Sequence, residues 1–110
     1  MPQQDRLTSV SAMEEHAAAA TALLRLLANE RRLLVLCMLI GVGETNVSTL
    51  SAHAGLSQPA MSQHLAKLRD DGLVATRRSG TTIFYRIADP RIEAIIATLR
   101  DVFCPAPAPA

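Results

Sequence analysis

Apolar positions along this chain recur at two periods, and the switch between them marks its elements. Ser11-Ala12-Met13-Glu14 reads as a capping box, with a Ser hydroxyl and a Glu three residues on. It predicts a helix from there to about Ala28. Its inner part, Ala17 to Leu27, is Ala- and Leu-rich on nearly every face, so it must be buried on most faces. In a small chain that points to a subunit interface. Asn29 can cap a second helix to about Ile40, with Leu33, Leu36, Cys37 and Ile40 on one apolar stripe and Gly41 and Gly43 ending it. Ser48 can cap a short third helix through Ala54, stopped by Gly55. Ser57 caps a fourth. Met61, Leu65 and Leu68 cluster on one side of it, and Pro59, Ser62, Gln63, Ala66, Lys67 and Asp70 lie opposite, with Gly72 as the stop.

Beyond Gly72 the period falls to two. Val74 to Ser79 and Thr82 to Ile87 alternate and are rich in strand-forming residues, joined by Gly80-Thr81 as a hairpin. Asp89-Pro90 then supplies a cap and a first-turn proline. Ile92, Ile95, Ile96, Leu99, Val102 and Phe103 follow at helical spacing, and Pro105 ends the helix with Cys104 at its edge. Three regions are expected: a flexible N-terminus over 1–10, one domain over 11–104, and a Pro/Ala tail over 105–110 with polyproline character.

The third helix, the turn at Gly55-Leu56-Ser57 and the fourth helix form a helix-turn-helix, and the basic hairpin makes it winged. The expected fold is mainly α: about five helices plus a two-stranded antiparallel wing, assembled as a homodimer. The amide and hydroxyl side chains Ser57, Gln58, Ser62 and Gln63 suit base edges, since Gln can pair with adenine and Ser can serve any base. His64 borders the apolar and polar faces, where packing or a phosphate contact suits it better than ligation. Lys67, Arg77, Arg78, Thr81 and Thr82 suit phosphates or the minor groove. An ordinary amphipathic helix with a solvated face would explain the fourth helix alone. It does not explain the cap, the Gly stop and the basic hairpin arriving together.

Composition supports this picture locally. Net charge over 110 residues is only +1, but residues 57–87 carry five Lys or Arg against Asp70 and Asp71. Hydrophobic content is 49% and aromatic content 3%, so the core is aliphatic, as in helical proteins. No run of about 20 apolar residues is present, so no membrane span is expected. The first residues lack the layout of a secretory signal, which predicts a cytoplasmic protein. Two cysteines there are unlike a structural disulfide; they are inert, metal-binding or redox-active. Cys37 on an apolar stripe could serve as a small buried hydrophobe.

The runs Arg32-Leu33-Leu34-Val35-Leu36, Leu50-Ser51-Ala52-His53-Ala54-Gly55-Leu56-Ser57, Met61-Ser62-Gln63-His64-Leu65, Gly72-Leu73-Val74, Arg77-Arg78-Ser79-Gly80 and Phe84-Tyr85 resemble the ArsR/SmtB repressors over roughly residues 10–104. The resemblance implies a dimer built on the first and last helices, binding double-stranded operator DNA at an imperfect inverted repeat. The family's usual effectors are metals, and this chain departs from both metal patterns. Arsenic- and cadmium-type members carry Glu-Leu-Cys-Val-Cys-Asp-Leu where this chain has Glu44-Thr45-Asn46-Val47-Ser48-Thr49-Leu50. Zinc-type positions on the last helix hold Asp89 and Arg91, then Val102 and Pro105. Neither set assembles three or four soft or imidazole ligands, so no metal or other cofactor is expected.

The segments around Cys37 and Cys104 resemble instead the persulfide-sensing branch of the family. That resemblance implies that the two thiols join through a disulfide or polysulfide bridge and DNA is released, with reactive sulfur as effector. A general thiol sensor of peroxide is the alternative on the same residues. A thiol enzyme lacks support, because the chain has no Cys-x-x-Cys, no Gly-rich phosphate cradle and no Cys-bearing loop between strand and helix. A dimerisation module indifferent to DNA would leave the wing arginines without a role.

Overall fold

Side-chain caps decide where most of the helices begin. The computed structural model describes the backbone of residues 2–104 and the side chains from residue 9 onward. The order is α1 Pro2–Leu27, α2 Glu30–Val42, β1 Glu44–Asn46, α3 Val47–Ala54, α4 Gln58–Asp70, β2 Val74–Ser79, β3 Thr82–Ile87 and α5 Pro90–Phe103. Asn29 Oδ1 accepts the Arg32 N–H at 3.1 Å and starts α2. Ser57 Oγ accepts the Ala60 N–H at 3.2 Å and starts α4. Asp89 Oδ1 accepts the Arg91 N–H at 2.8 Å and starts α5.

Two helix starts, the end of α2 and the number of strands differ from expectation; α2 runs through Gly41 to Val42 and stops at Gly43. Helix α1 opens at Pro2, not Ser11, so segment 1–10 is largely helical. Proline is well suited to a first helical turn, and nothing between Gln3 and Val10 breaks the helix; the Ser11–Glu14 box sits inside it. Helix α3 is capped by Asn46, whose Oδ1 accepts the Thr49 N–H at 2.9 Å, and not by Ser48. The sheet has three strands, in the order β1-β3-β2, rather than two. Glu44, Thr45 and Asn46 pair antiparallel with Arg86, Tyr85 and Phe84, covering the hairpin edge that two strands would leave open. The expected tail over 105–110 lies outside the described residues.

The core joins Leu36 and Leu39 of α2, Leu50 of α3, Met61, Leu65 and Leu68 of α4, and Ile92 and Ile96 of α5, all essentially inaccessible to water. Helix α2 is the hub, packing against α3, α4, α5, β1 and β3. Its buried line runs through Val35, Leu36 and Leu39, which leaves Cys37 half-buried at the margin. Among the described side chains, helix α1 reaches this core near its end, through Leu23, Leu26 and Leu27. Farther up it, Val10 and Met13 stay more than half exposed, at 54% and 61%. The radius of gyration is 17.1 Å, against about 13 Å for a compact domain near this length. The projecting α1 accounts for the difference.

Two turns set how α4 and the hairpin sit beside each other. Between α3 and α4, Gly55 takes a left-handed φ of 66°, and the Leu56 N–H bonds back to Ser51 O at 3.0 Å. A side chain there would strain the backbone even though the space is open. At the wing tip Ser79 pairs with Thr82, and Gly80 takes φ 63° at the first central position. A two-residue hairpin turn of that kind accepts glycine most readily.

Candidate DNA interface and thiol pair

The inner edge of α4 is fixed by Met61, Leu65 and Leu68, so helical geometry turns its polar residues outward. Gln58, Ser62, Gln63 and Lys67 are exposed, and His64 is half-buried between the two faces. Gln58 and Ser62 share a cleft of about 440 Å³ with Thr81 and Thr82 of the wing and Asn46 and Ser48 at the start of α3. Tyr85 and Ile83 form its floor on the sheet side. Four of the expected contact residues therefore converge on one hydroxyl- and amide-lined slot. Ser57 is exposed, but its hydroxyl oxygen is engaged as the α4 cap.

The two wing arginines are not equivalent. Arg78 pairs with Ile83, so its side chain leaves the sheet on the cleft side. Arg77 pairs with Phe84, on the opposite side. There Arg77 Nη2 and Nε both donate to Glu44 Oε1, at 2.7 and 3.1 Å. The Arg77 guanidinium also lies 4.7 Å from the Phe84 ring centroid. Its hydrogen bond holds the Glu44 carboxyl below the usual carboxylate range, and Arg86 adds to the effect. Glu44 is absent from the sequence-derived contacts. Its partner is 33 residues away, and only the unforeseen strand β1 brings the two together.

A second ion pair ties the far end of α4 to the hub. Arg32 Nη1 lies 2.8 Å from Asp71 Oδ2 and also donates to the Leu26 carbonyl at 3.3 Å. One guanidinium thus serves the last turn of α1 and the C-cap of the recognition helix.

The structure holds Cys37 and Cys104 as free thiols, the first half-buried in α2 and the second exposed at the C-cap of α5. Helices α2 and α5 pack together. Burial pushes the Cys37 thiol up from its ordinary value, the nearby Cys104 pushes it further, and Arg100 pulls it back. Cys104 and Arg100, both at the end of α5, are thus the charged groups that act on Cys37.

The positions that hold metal ligands in metal-sensing members are otherwise occupied. Asn46 Oδ1 is the α3 cap, and the Asp89 carboxylate is paired with Arg91 at 2.7 Å. Among the described residues no group of three or more His, Cys, Asp or Glu side chains could hold a metal ion. No described helix is long and apolar enough to cross a membrane.

A helix-turn-helix seated beside an antiparallel wing, with a polar outward face on its second helix, defines a winged-helix DNA-binding regulator. Residues 29–76 match the bacterial regulatory protein, arsR family. The transcriptional regulator YgaV of Escherichia coli is 42% identical over 90% of this chain and 100% of its own. The crystal structure of the transcriptional regulator HlyU from Vibrio vulnificus superposes with a TM-score of 0.79 at 45% identity, over 87% of this chain and 99% of that one. The crystal structure of the repressor BigR from Xylella fastidiosa does so at 0.77 and 35% identity, over 87% and 97%. This chain belongs to the ArsR family. It is a DNA-binding transcriptional regulator, not an enzyme.

Proposed function

We propose that this protein is a homodimeric repressor that holds an imperfect inverted repeat in operator DNA while Cys37 and Cys104 are free, and releases it when a sulfur bridge links them. The observation that carries the reading is the placement of the thiols. They sit on two packed helices, one the hub and one the last helix, close enough for Cys104 to perturb Cys37. The resemblance of the two cysteine segments to the persulfide-sensing branch lends it support, as does the likeness to the transcriptional repressor BigR. Dimerisation is supported by the exposed apolar residues of α1 and by Val102 and Phe103 on α5, at 65% and 77% exposure. Residues Gln58, Ser62 and Gln63 read bases, while Lys67, Arg78, Thr81 and Thr82 meet the backbone. A reduced thiol pair that acts on DNA suits the cytoplasm.

The chemistry needs an oxidant, and a polysulfide supplies it. The exposed Cys104 meets the polysulfide first, since burial disfavours the Cys37 thiolate. Its sulfur attacks the chain, one S–S bond breaks, and a shorter sulfide leaves with the electron pair. Cys37 then attacks the sulfur chain on Cys104 and expels hydrosulfide. The two thiols lose two protons and two electrons, and the polysulfide is reduced by the same two electrons. Intervening sulfur atoms let the bridge span a gap too long for a direct disulfide.

The test pairs mass spectrometry after polysulfide exposure with a DNA shift at fixed salt. Cross-linked Cys37 and Cys104 peptides carrying added sulfur, with loss of the shift, are expected. Treated protein that keeps its affinity overturns the switch. An equal response to peroxide, through a plain disulfide, makes the protein a general thiol sensor instead.

A further inference from the structure

Adjacent arginines in a basic hairpin look interchangeable, but strand alternation parts them. Arg78 lies on the face that carries Ile83 and the hydroxyl-lined cleft beside the recognition helix. Arg77 lies on the other face, with Phe84, Arg86 and Glu44. Three contacts hold it there: two charge-assisted hydrogen bonds to one Glu44 oxygen and the Phe84 ring beneath the guanidinium. Glu44 is itself set between Arg77 and Arg86 and stays ionised below the ordinary carboxylate range. To reach a phosphate in the cleft, Arg77 would have to leave all three contacts and cross the sheet. Glu44 belongs to β1, which is joined to β2 only through β3. The Glu44–Arg77 pair therefore straps the outer strands together over Phe84.

We infer that Glu44 is a positioning residue which uses Arg77 to brace the wing on the face away from the cleft, leaving Arg78 as the wing cation that meets a phosphate. This rests on the DNA face proposed above, and the test separates the two. Affinity is measured against salt for one inverted-repeat duplex selected from random-sequence DNA by the wild-type protein. Each lost phosphate contact flattens the slope of log affinity against log salt by about 0.9. Arg78→Gln is expected to flatten it by about that amount per protomer. Arg77→Gln and Glu44→Gln are expected to keep the wild-type slope and lower affinity at every salt concentration. In thermal melts the Glu44→Gln/Arg77→Gln double variant should lose no more than the larger single, because both remove one contact.

A slope flattened by Arg77→Gln as much as by Arg78→Gln overturns the inference and leaves the DNA face standing. Additive melting losses overturn the strap. If neither arginine alters the slope, the wing stands off the DNA, and both the inference and the proposed face fail.

Discussion

Replacing Arg32 by Met and Asp71 by Asn removes the same ion pair, yet the two changes should differ in cost. Arg32 Nη1 serves two acceptors, Asp71 Oδ2 at 2.8 Å and the Leu26 carbonyl at 3.3 Å. The side chains are 19% and 35% exposed, so the ion pair itself is partly screened and stabilises by about 0.5 kcal/mol. The bond to a helix-end carbonyl adds about 1 kcal/mol. Asp71 caps the C-terminus of α4, where a negative charge meets the negative end of the helix dipole; left without its cation there it costs a further ~0.5 kcal/mol. Arg32→Met therefore destabilises by about 2 kcal/mol, a fall of roughly 10 °C for a domain of this size. Asp71→Asn removes the pair and the adverse charge together, and its amide oxygen still accepts from Arg32. It should cost no more than about 0.5 kcal/mol.

The assay is thermal melting at one protein concentration, since assembly shifts the midpoint. The Arg32→Met/Asp71→Asn double variant should melt above Arg32→Met, because it no longer strands a carboxylate. A double variant that melts below Arg32→Met, or an Asp71→Asn that falls as far as Arg32→Met, refutes the reasoning.

Two further outcomes follow from the sites. The Cys37 thiol is raised in the folded protein, so the neutral form is favoured by folding. That contribution is present below the thiol's unfolded value and is lost as pH rises toward the folded one. Alkylation of native Cys37 should accordingly need higher pH than in the urea-unfolded chain. Arg100→Gln should move its midpoint further up and Cys104→Ser should move it down; unmoved midpoints would count against the thiol neighbourhood. Gln63→Ala should relax base preference at one position of each half-site by about 1–3 kcal/mol while leaving the salt slope unchanged. Uniform weakening across all sequences would make Gln63 a backbone contact.

The elements that local chemistry specifies were legible in the sequence. Asn29, Ser57 and Asp89 each cap the helix they were expected to cap, and the buried edge of α4 falls on Met61, Leu65 and Leu68. What escaped depends on distant partners. Strand β1 is three residues long and carries too little alternation to be read; it forms because β3 offers a free edge some forty residues later. Once Asn46 ends that strand, its amide stands where α3 begins, and Ser48 loses the cap. The start of α1 was misplaced for the opposite reason. A capping box is a local pattern that a helix interior also accommodates when nothing upstream stops the helix. The apolar stripe of α2 was found, but its centre lies on Leu36 and Leu39, which places Cys37 at an accessible margin rather than in the core.

In the proposed switch, that marginal position would give the thiol its leverage. Recognition helix α4 contains no cysteine, so any redox input must reach it through another element. Helix α2 touches α3, α4, α5 and two strands, and it carries both Cys37 and Arg32. A sulfur bridge to Cys104 would fix the middle of this hub against the end of α5. Nearer its start, Arg32 holds the end of α1 and the C-cap of α4. A small reseating of α2 would thus be felt at the last turn of α4 without any change in the residues that face DNA. In a dimer that reads two half-sites at a fixed helical spacing, a small rotation of each recognition helix suffices to lose register. The Arg32–Asp71 contact is then the place to look for transmission. Asp71→Asn, which barely alters stability, should narrow the difference in DNA affinity between the free-thiol and bridged forms. A difference as wide as in the wild type would mean that the signal travels through the packed face of Leu65 and Leu68 instead.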